Sequence, residues 1–396
     1  MLIYDHSERQ IRLVNLDFKR YLYNEIDWNN RLIGIKGARG TGKTTLLLQW
    51  LKEQDLPSEK AVYFSLDDLY FTTNSLADTI DTFYKGGGKI VVLDEVHKYK
   101  DWSRVVKNTY DFYPDLKIIF TGSSIIDISK QEGDLSRRVV MYELHGLSYR
   151  EYLALNKDIF LRKIAFDEIL TSSKSYMSQL PTDFRPLASF KEYLEFGYYP
   201  FALENKDSFH QKINQLVRTI VEYDMAEIEG YDIRNAKKML QLIVVIAQQV
   251  PFKPNISALS QKTGIHRNTM LNYLHYLEQA KLINLLSAAG NSVSVLQKPD
   301  KIFLNNTSLL HALSHENTKV GTIRETFFLS QFLQHKKTIT LPSIGDFKVG
   351  DYTFEIGGKN KTKKQIEGVS NSFLVKDDIE NAQQNQIPLW LFGMMY

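Results

Sequence analysis

The 396-residue chain contains no cysteine. Disulfides, a thiolate zinc site and a cysteine nucleophile are therefore excluded, and the composition suits a reducing compartment. Long hydrophobic runs are missing too. The longest uninterrupted one, LIVVIA at 242–247, falls far short of the roughly 20 residues that span a bilayer. No membrane partner is expected. The opening residues, MLIYDHSERQIRLV, lack the apolar stretch and small-residue cleavage site of a secretory leader, so the expected location is cytoplasmic. An excess of one charge is also absent: 49 Lys and Arg against 46 Asp and Glu leave a net +3. That balance excludes a global field that would draw nucleic acid, and any basic patch must be local. What remains is 43% hydrophobic and 24% charged residues, the balance of a globular chain. Its length exceeds one ordinary core and predicts roughly two to four domains.

The stretch RLIGIKGARGTGKTTLLLQWLKEQ (31–54) carries the strongest signal. An apolar strand runs into Gly37-Ala38-Arg39-Gly40-Thr41-Gly42-Lys43-Thr44-Thr45 and then into a helical pattern. This is G-x-x-x-x-G-K-T between strand and helix, the context that a phosphate-binding loop requires. Glycines let backbone N–H groups wrap a phosphate, and the helix N-terminus adds partial positive charge. Lys43 would reach the β- and γ-phosphates, and the Thr44 hydroxyl would hold Mg²⁺. Downstream, KIVVLDE (89–95) is an apolar strand that ends in two carboxylates. Asp94 is the second metal candidate, and Glu95 the candidate general base for water attack. Further strands are expected at 61–66, 116–124 and 139–144. Strands alternating with helix-length segments predict an α/β fold, a doubly wound parallel sheet.

Ser123 follows the 116–124 strand and is a candidate γ-phosphate sensor. Thr121 is the alternative, and turn chemistry alone would explain either. Arg137 and Arg138, in GDLSRRVV, either neutralise transition-state charge in a neighbouring subunit of a homo-oligomer or form a solvated pair. Tyr63, Asp67 and Asp68 read as packing and turn capping.

The segments GARGTGKTT, IVVLDE, IIFTGSS and LHGLSYREYL resemble a bacterial and archaeal group of AAA-type P-loop ATPases. Members carry a C-terminal domain of unknown function that is related in some of them to restriction-type nucleases. YLEFGYYPFAL (193–203), KPDKIFLNNTSLLHAL (298–313) and IPLWLFGMMY (387–396) resemble the later segments of that group. The resemblance implies ATP rather than GTP as the cofactor, with Mg²⁺. No N-K-x-D motif follows the LDE strand, which agrees. It also implies a P-loop core over 1–150, a helical lid over 151–235, a winged helix over 236–297 and a nuclease-like domain over 298–396. Nucleotide state would then set the posture of the C-terminal module.

The residues bear on each of these regions. TSSKSYMSQLPTDFRP (171–186) is rich in Ser and Pro and predicts a loop or linker. NISALSQKTGIHRNTMLNYLHYLEQAKLINLL (255–286) reads as helix-turn-helix with a wing. Ser257 is its expected N-cap, Thr263-Gly264 the turn, and Leu271, Leu274 and Leu277 the buried stripe. His266, Arg267 and Asn268 open the second helix and suit DNA contact. Residues 251–286 carry a net +3, from Lys253, Lys262, Arg267 and Lys281 against Glu278. So thin a footprint leaves a structural joint equally open.

In the tail, Glu325 on a helix, Asp346 and Glu355 on strands fall in the order of a PD-(D/E)xK nuclease. Those carboxylates would hold Mg²⁺ while a lysine two residues on activates water. Gly357 occupies that lysine's place, and the first lysine, Lys359, stands about 6–7 Å further along a strand. A degenerate site is expected. FLVKDD (373–378) and IPLWLFGMMY are read as the remaining strands.

Overall fold

The computed structural model describes residues 2–123, 135, 137–228, 230–288, 298–314, 319–333, 337–383 and 385–396. The chain divides into two compact units, residues 1–145 with 227–229 and residues 146–226 with 230–396.

The first unit is built on five strands: β1 (Leu32–Gly37), β2 (Ala61–Ser65), β3 (Ile90–Asp94), β4 (Lys117–Ser123) and β5 (Val140–Glu143). Their order is β2-β3-β4-β1-β5, and every neighbouring pair is parallel. Helices α1 (Leu2–Leu13), α2 (Lys43–Glu53), α3 (Leu76–Lys85) and α4 (Trp102–Phe112) belong to the same unit. Alternation along the strands feeds two cores, as a sheet buried on both faces demands. Leu32, Val62, Phe64, Val91, Leu93, Ile118 and Phe120 enter one; Ile33, Ile35, Tyr63, Val92 and Ile119 enter the other. Gly34 interrupts the apolar run of β1 for a steric reason: a Cβ there would stand 2.2 Å from Met141 Sδ and 2.7 Å from Phe120 Cζ. Strand β2 lies at the sheet edge, where unpaired N–H groups invite foreign strands. Helix α1 answers this locally, since Ser7 Oγ accepts the Tyr63 backbone N–H at 2.8 Å.

The second unit begins with α5 (Tyr149–Lys157), which Ser148 and Glu151 start with a reciprocal capping box. Then come α6 (Pro186–Phe196), α7 (Phe209–Thr219), α8 (Ala236–Ala247), α9 (Ile256–Thr263) and α10 (Arg267–Gln279). Strands β6 (Ile283–Leu286) and β7 (Lys301–Leu304) pair antiparallel. Helices α11 (Thr307–Ser314) and α12 (Val320–Leu333) precede a second five-stranded sheet. Its strands are β8 (Ile339–Thr340), β9 (Phe347–Val349), β10 (Tyr352–Gly357), β11 (Ser372–Lys376) and β12 (Gln386–Pro388). The order is β12-β11-β10-β9-β8; β8, β9 and β10 form an antiparallel meander, and β11 and β12 add in parallel.

One aromatic core joins the first helices of this unit to its last strands. Tyr149, Tyr152, Phe190 and Tyr193 pack in the same cluster as Phe327, Phe328, Phe354, Trp390 and Phe392. Hydrogen bonds repeat the link: Ser148 Oγ and Arg150 Nε donate to Tyr396 O at 2.7 and 2.9 Å, and Ile164 N donates to Met394 O at 3.1 Å.

Three local expectations need correction. The 171–186 stretch includes a short helix, Ser173–Met177, and its aromatic Tyr176 is 1% exposed, so burial outweighs the Ser/Pro composition. Asn255, not Ser257, caps α9 by accepting the Ala258 N–H at 3.1 Å. IPLWLFGMMY is strand only at its start and winds into a 3-10 turn over Leu389–Met394. That run is buried at every position, so it carries no period-two signal. Gly393 permits the close approach, because a Cβ there would lie 2.6 Å from Tyr149 Cβ.

Phe328 is 0% exposed and its ring meets those of Phe332, Phe347, Phe354 and Phe392. Phe328→Ala should cost the second unit about 3–5 kcal/mol. Chemical denaturation followed by aromatic fluorescence would show a lower midpoint and an unfolding free energy reduced by that amount.

Candidate nucleotide site

The C-terminal ends of β1, β3 and β4 form one edge. Because β4 lies between β1 and β3, residues at its end border both the P-loop and the paired carboxylates. Gly40 (φ 80) and Gly42 (φ 92) adopt left-handed backbone that residues with a Cβ rarely take, and this turns the chain into α2. Lys43 is 5% exposed and donates to the Gly37 and Ala38 carbonyls at 3.0 and 3.1 Å. Thr41 Oγ1 closes the loop on Ala38 O at 2.9 Å. From outside the motif, the Arg20 guanidinium donates to Thr41 O and, at 2.7 Å, to His145 O. Arg39 is half-buried and Thr45 exposed.

Asp94 is 2% exposed and collects four donors. Thr44 Oγ1 at 2.7 Å and Tyr63 OH at 2.8 Å reach its Oδ2. Thr121 Oγ1 and, at 3.1 Å, the Glu95 N–H reach its Oδ1. A buried carboxylate is tolerated only when so satisfied. Burial and the Asp94 charge together push the Tyr63 phenol far above its ordinary range, so it remains a donor. Mg²⁺ fits this set: the Thr44 hydroxyl and Asp94 Oδ2 already converge, and phosphate and water oxygens supply the rest of the shell such an ion prefers.

Glu95 follows with φ 53 and is half-buried. His97 Nε2 lies 3.3 Å from Glu95 Oε2, and its side chain is 5% exposed. Burial first, then the charges of Lys98, Lys43 and Arg39, lower the His97 pKa from 6.5 to about 3. The ring is therefore neutral at physiological pH. Ser123 is 6% exposed and pairs in register with Gly37, at the mouth of the P-loop. Arg138 is engaged by Asp111 through Nε at 2.8 Å and Nη2 at 3.0 Å, while Arg137 is exposed.

Sequence reasoning gathered Lys43, Thr44, Asp94 and Glu95 and underrated four others. Tyr63, assigned to packing, holds Asp94. Thr121, weighed as a phosphate sensor, donates to Asp94 Oδ1. Arg20 and His97 stand in no motif; only their polarity beside apolar runs could have drawn notice.

The tail residues also come together. Glu325 Oε2 pairs with Lys301 Nζ at 2.6 Å, and Glu355 Oε1 with Lys361 Nζ at 2.5 Å. Asp346 Oδ2 accepts the Ile356 N–H at 2.8 Å. Burial raises both glutamate pKa values, and the Asp346 charge adds to each. Lys359, the expected partner, is exposed. Lys361 replaces it by laying its stem over Gly357, where a Cβ would stand 2.4 Å from that stem. Among the described residues no three acidic or histidine side chains are grouped to hold a metal ion. His266, Arg267 and Asn268 are exposed at the start of α10.

The first unit has the P-loop NTPase fold. Residues 29–153 match the family model described as the AAA domain, which supports ATP binding. Residues 187–320 match a domain of unknown function. An uncharacterized protein of Methanocaldococcus jannaschii is 28% identical over 324 residues. That alignment covers 77% of this chain and 65% of the relative, so the chain spans less than two thirds of that protein. Among solved structures, AMPPCP-bound DnaA from Aquifex aeolicus is 14% identical at TM-score 0.27, over 66% of this chain and 86% of that one. The S. cerevisiae Hsp104-ADP complex is 17% identical at TM-score 0.28, over 69% and 37%. Likeness at those scores carries no argument. No helix among the described residues is long and apolar enough to cross a membrane.

The lowered His97 pKa has a consequence for stability. The folded ring resists a proton that the unfolded ring accepts below about 6.5. Its contribution is thus fully present above pH 6.5 and lost as pH falls toward 3. Melting temperature should decline over that window in the native chain and decline less in His97→Asn, as calorimetry at stepped pH would read.

Proposed function

We propose that the first unit binds ATP with Mg²⁺ and hydrolyses it. The observation that carries this reading is the convergence of Lys43, Thr44, Asp94 and Glu95 on one sheet edge. Phosphate would draw Lys43 from the Gly37 and Ala38 carbonyls to the β- and γ-oxygens. Mg²⁺, held through Thr44 and Asp94, supplies charge neutralisation at the phosphates. Glu95 takes a proton from water as the water oxygen bonds to the γ-phosphorus. The bond from that phosphorus to the β–γ bridging oxygen breaks, leaving ADP and phosphate. Ser123, in register with Gly37, would hydrogen-bond the γ-phosphate. With Arg138 engaged by Asp111, Arg137 is the arginine to test for action in a second subunit, and mass measured with and without ATP decides that point.

Lys43→Ala should weaken ATP binding at least tenfold. Glu95→Gln should bind ATP normally and lose about 100-fold in turnover. Equal ATP affinity in Lys43→Ala would sink the reading. Normal binding with negligible turnover in the native chain would favour an ATP-operated switch instead.

For the second unit we propose a winged helix in α8–β7, followed by a nuclease-like sheet whose carboxylates are neutralised by lysines. The shared aromatic core supports treating the 151–235 helices as part of this module. ATP turnover would act on the module as a whole. Its partner is DNA if the exposed Arg267 and Asn268 serve as they would on a recognition helix. Plasmid electrophoresis with Mg²⁺ or Mn²⁺ tests both points. A salt-sensitive shift that Arg267→Ala weakens is expected, without nicking. Nicking abolished by Glu355→Ala would show an intact nuclease.

A further inference from the structure

His97 is a buried titratable side chain at the nucleotide edge to which hydrolysis as described gives no role. Neither of its ring nitrogens has a hydrogen-bond partner among the described residues. Buried polar atoms are nearly always paired, so an unpaired ring beside a ligand site points to a partner that arrives with the ligand. The ring's approach to Glu95 is built into the backbone. Glu95 takes φ 53 and ψ 45, and Val96–Lys98 then wind as a 3-10 turn. Val96 is 0% exposed and anchors that turn in the apolar core. The result is His97 Nε2 standing 3.3 Å from Glu95 Oε2.

We propose that His97 is a positioning residue for Glu95. With nucleotide bound, its Nε2–H donates to the Glu95 carboxylate and aims the other carboxylate oxygen at the attacking water. Nδ1 then accepts a hydrogen bond from water at the phosphates. No proton is transferred to or from the ring. Its neutrality matters, because an imidazolium would pair with Glu95 and weaken it as a base. The cations Lys98, Lys43 and Arg39 act on the ring beside Glu95 and disfavour that state.

The inference rests on the hydrolysis reading, so the test measures both. Turnover with Mg²⁺ and affinity for a fluorescent ATP analogue are determined for the full native chain, Glu95→Gln, His97→Ala and His97→Asn. His97→Ala should lose about tenfold or more in kcat while KM and affinity stay within about twofold. His97→Asn keeps a donor and should recover most of the lost rate. A kcat within about twofold of native in His97→Ala overturns the proposal. So does an affinity that falls in step with kcat, or a His97→Asn as slow as His97→Ala, since space-filling alone explains those results. If the native chain binds the analogue and turns over no faster than Glu95→Gln, the hydrolysis reading fails first, and this one with it.

Discussion

Everything chemical in the first unit hangs on a carboxylate that water cannot reach. Asp94 is 2% exposed, and its four donors come from four places: α2, β2, β4 and the turn after β3. A charge so buried is costly unless each lone pair finds a donor. Those donors are thereby fixed in space. Thr44 locks the start of α2 to β3, and hence the P-loop to the carboxylates. Tyr63 ties in the edge strand, and Thr121 ties in the strand inserted between β1 and β3. The geometry of the nucleotide edge is thus a by-product of satisfying one buried charge.

The tail handles the same problem differently. Burial raises the proton affinity of Glu325 and Glu355, and the Asp346 charge adds to both. Here the counter-charges are lysine ammoniums rather than hydroxyl donors. Lys301 and Lys361 each contact one glutamate, and Glu355 Oε2 has no hydrogen-bond partner among the described residues. Two cations held on the chain reduce the need for a metal ion at this place. Gly357 makes this possible, because any side chain there would displace the Lys361 stem. The residue that spoils the nuclease pattern in one dimension restores a lysine to the carboxylate in three.

Much of the first unit was legible because its signals are local. A P-loop needs glycines at fixed spacing, and a fully buried parallel strand needs an unbroken apolar run. Both are visible in a short window. The contacts of Tyr63 and Thr121 with Asp94 were not legible because they depend on which strands are neighbours, and strand order is not written in any window. The aromatic residues of 149–193 could be read as core but not as core with residues 327–392, since that contact spans most of the chain. The terminal IPLWLFGMMY misled for a related reason. A segment buried on every side shows no periodicity, so composition alone could not separate strand from 3-10 turn. In the tail, the carboxylates named from residue order lie near enough for the Asp346 charge to act on both glutamates, whereas the lysine was sought along the strand and arrived from the turn beyond it.

The resting site is closed by its own polar groups, and this shapes what a nucleotide must do on arrival. Lys43 is hydrogen-bonded to two P-loop carbonyls, and Thr44 to Asp94. On the proposed reading, phosphate would take Lys43 from those carbonyls, and a cation would open the Thr44–Asp94 bond so that both oxygens could face it. Each exchange trades one satisfied contact for another, so binding energy appears mainly as the difference between charged and neutral partners. Phosphate alone would leave Thr44 turned toward Asp94, and a cation alone would leave Lys43 folded on the loop. The two together would exchange both the Lys43 and the Thr44 contacts. The same event would bring water to a neutral, unpaired His97 beside Glu95. On the proposed reading, a site wired in this way would respond to the metal–nucleotide complex as one ligand and discriminate against either part alone.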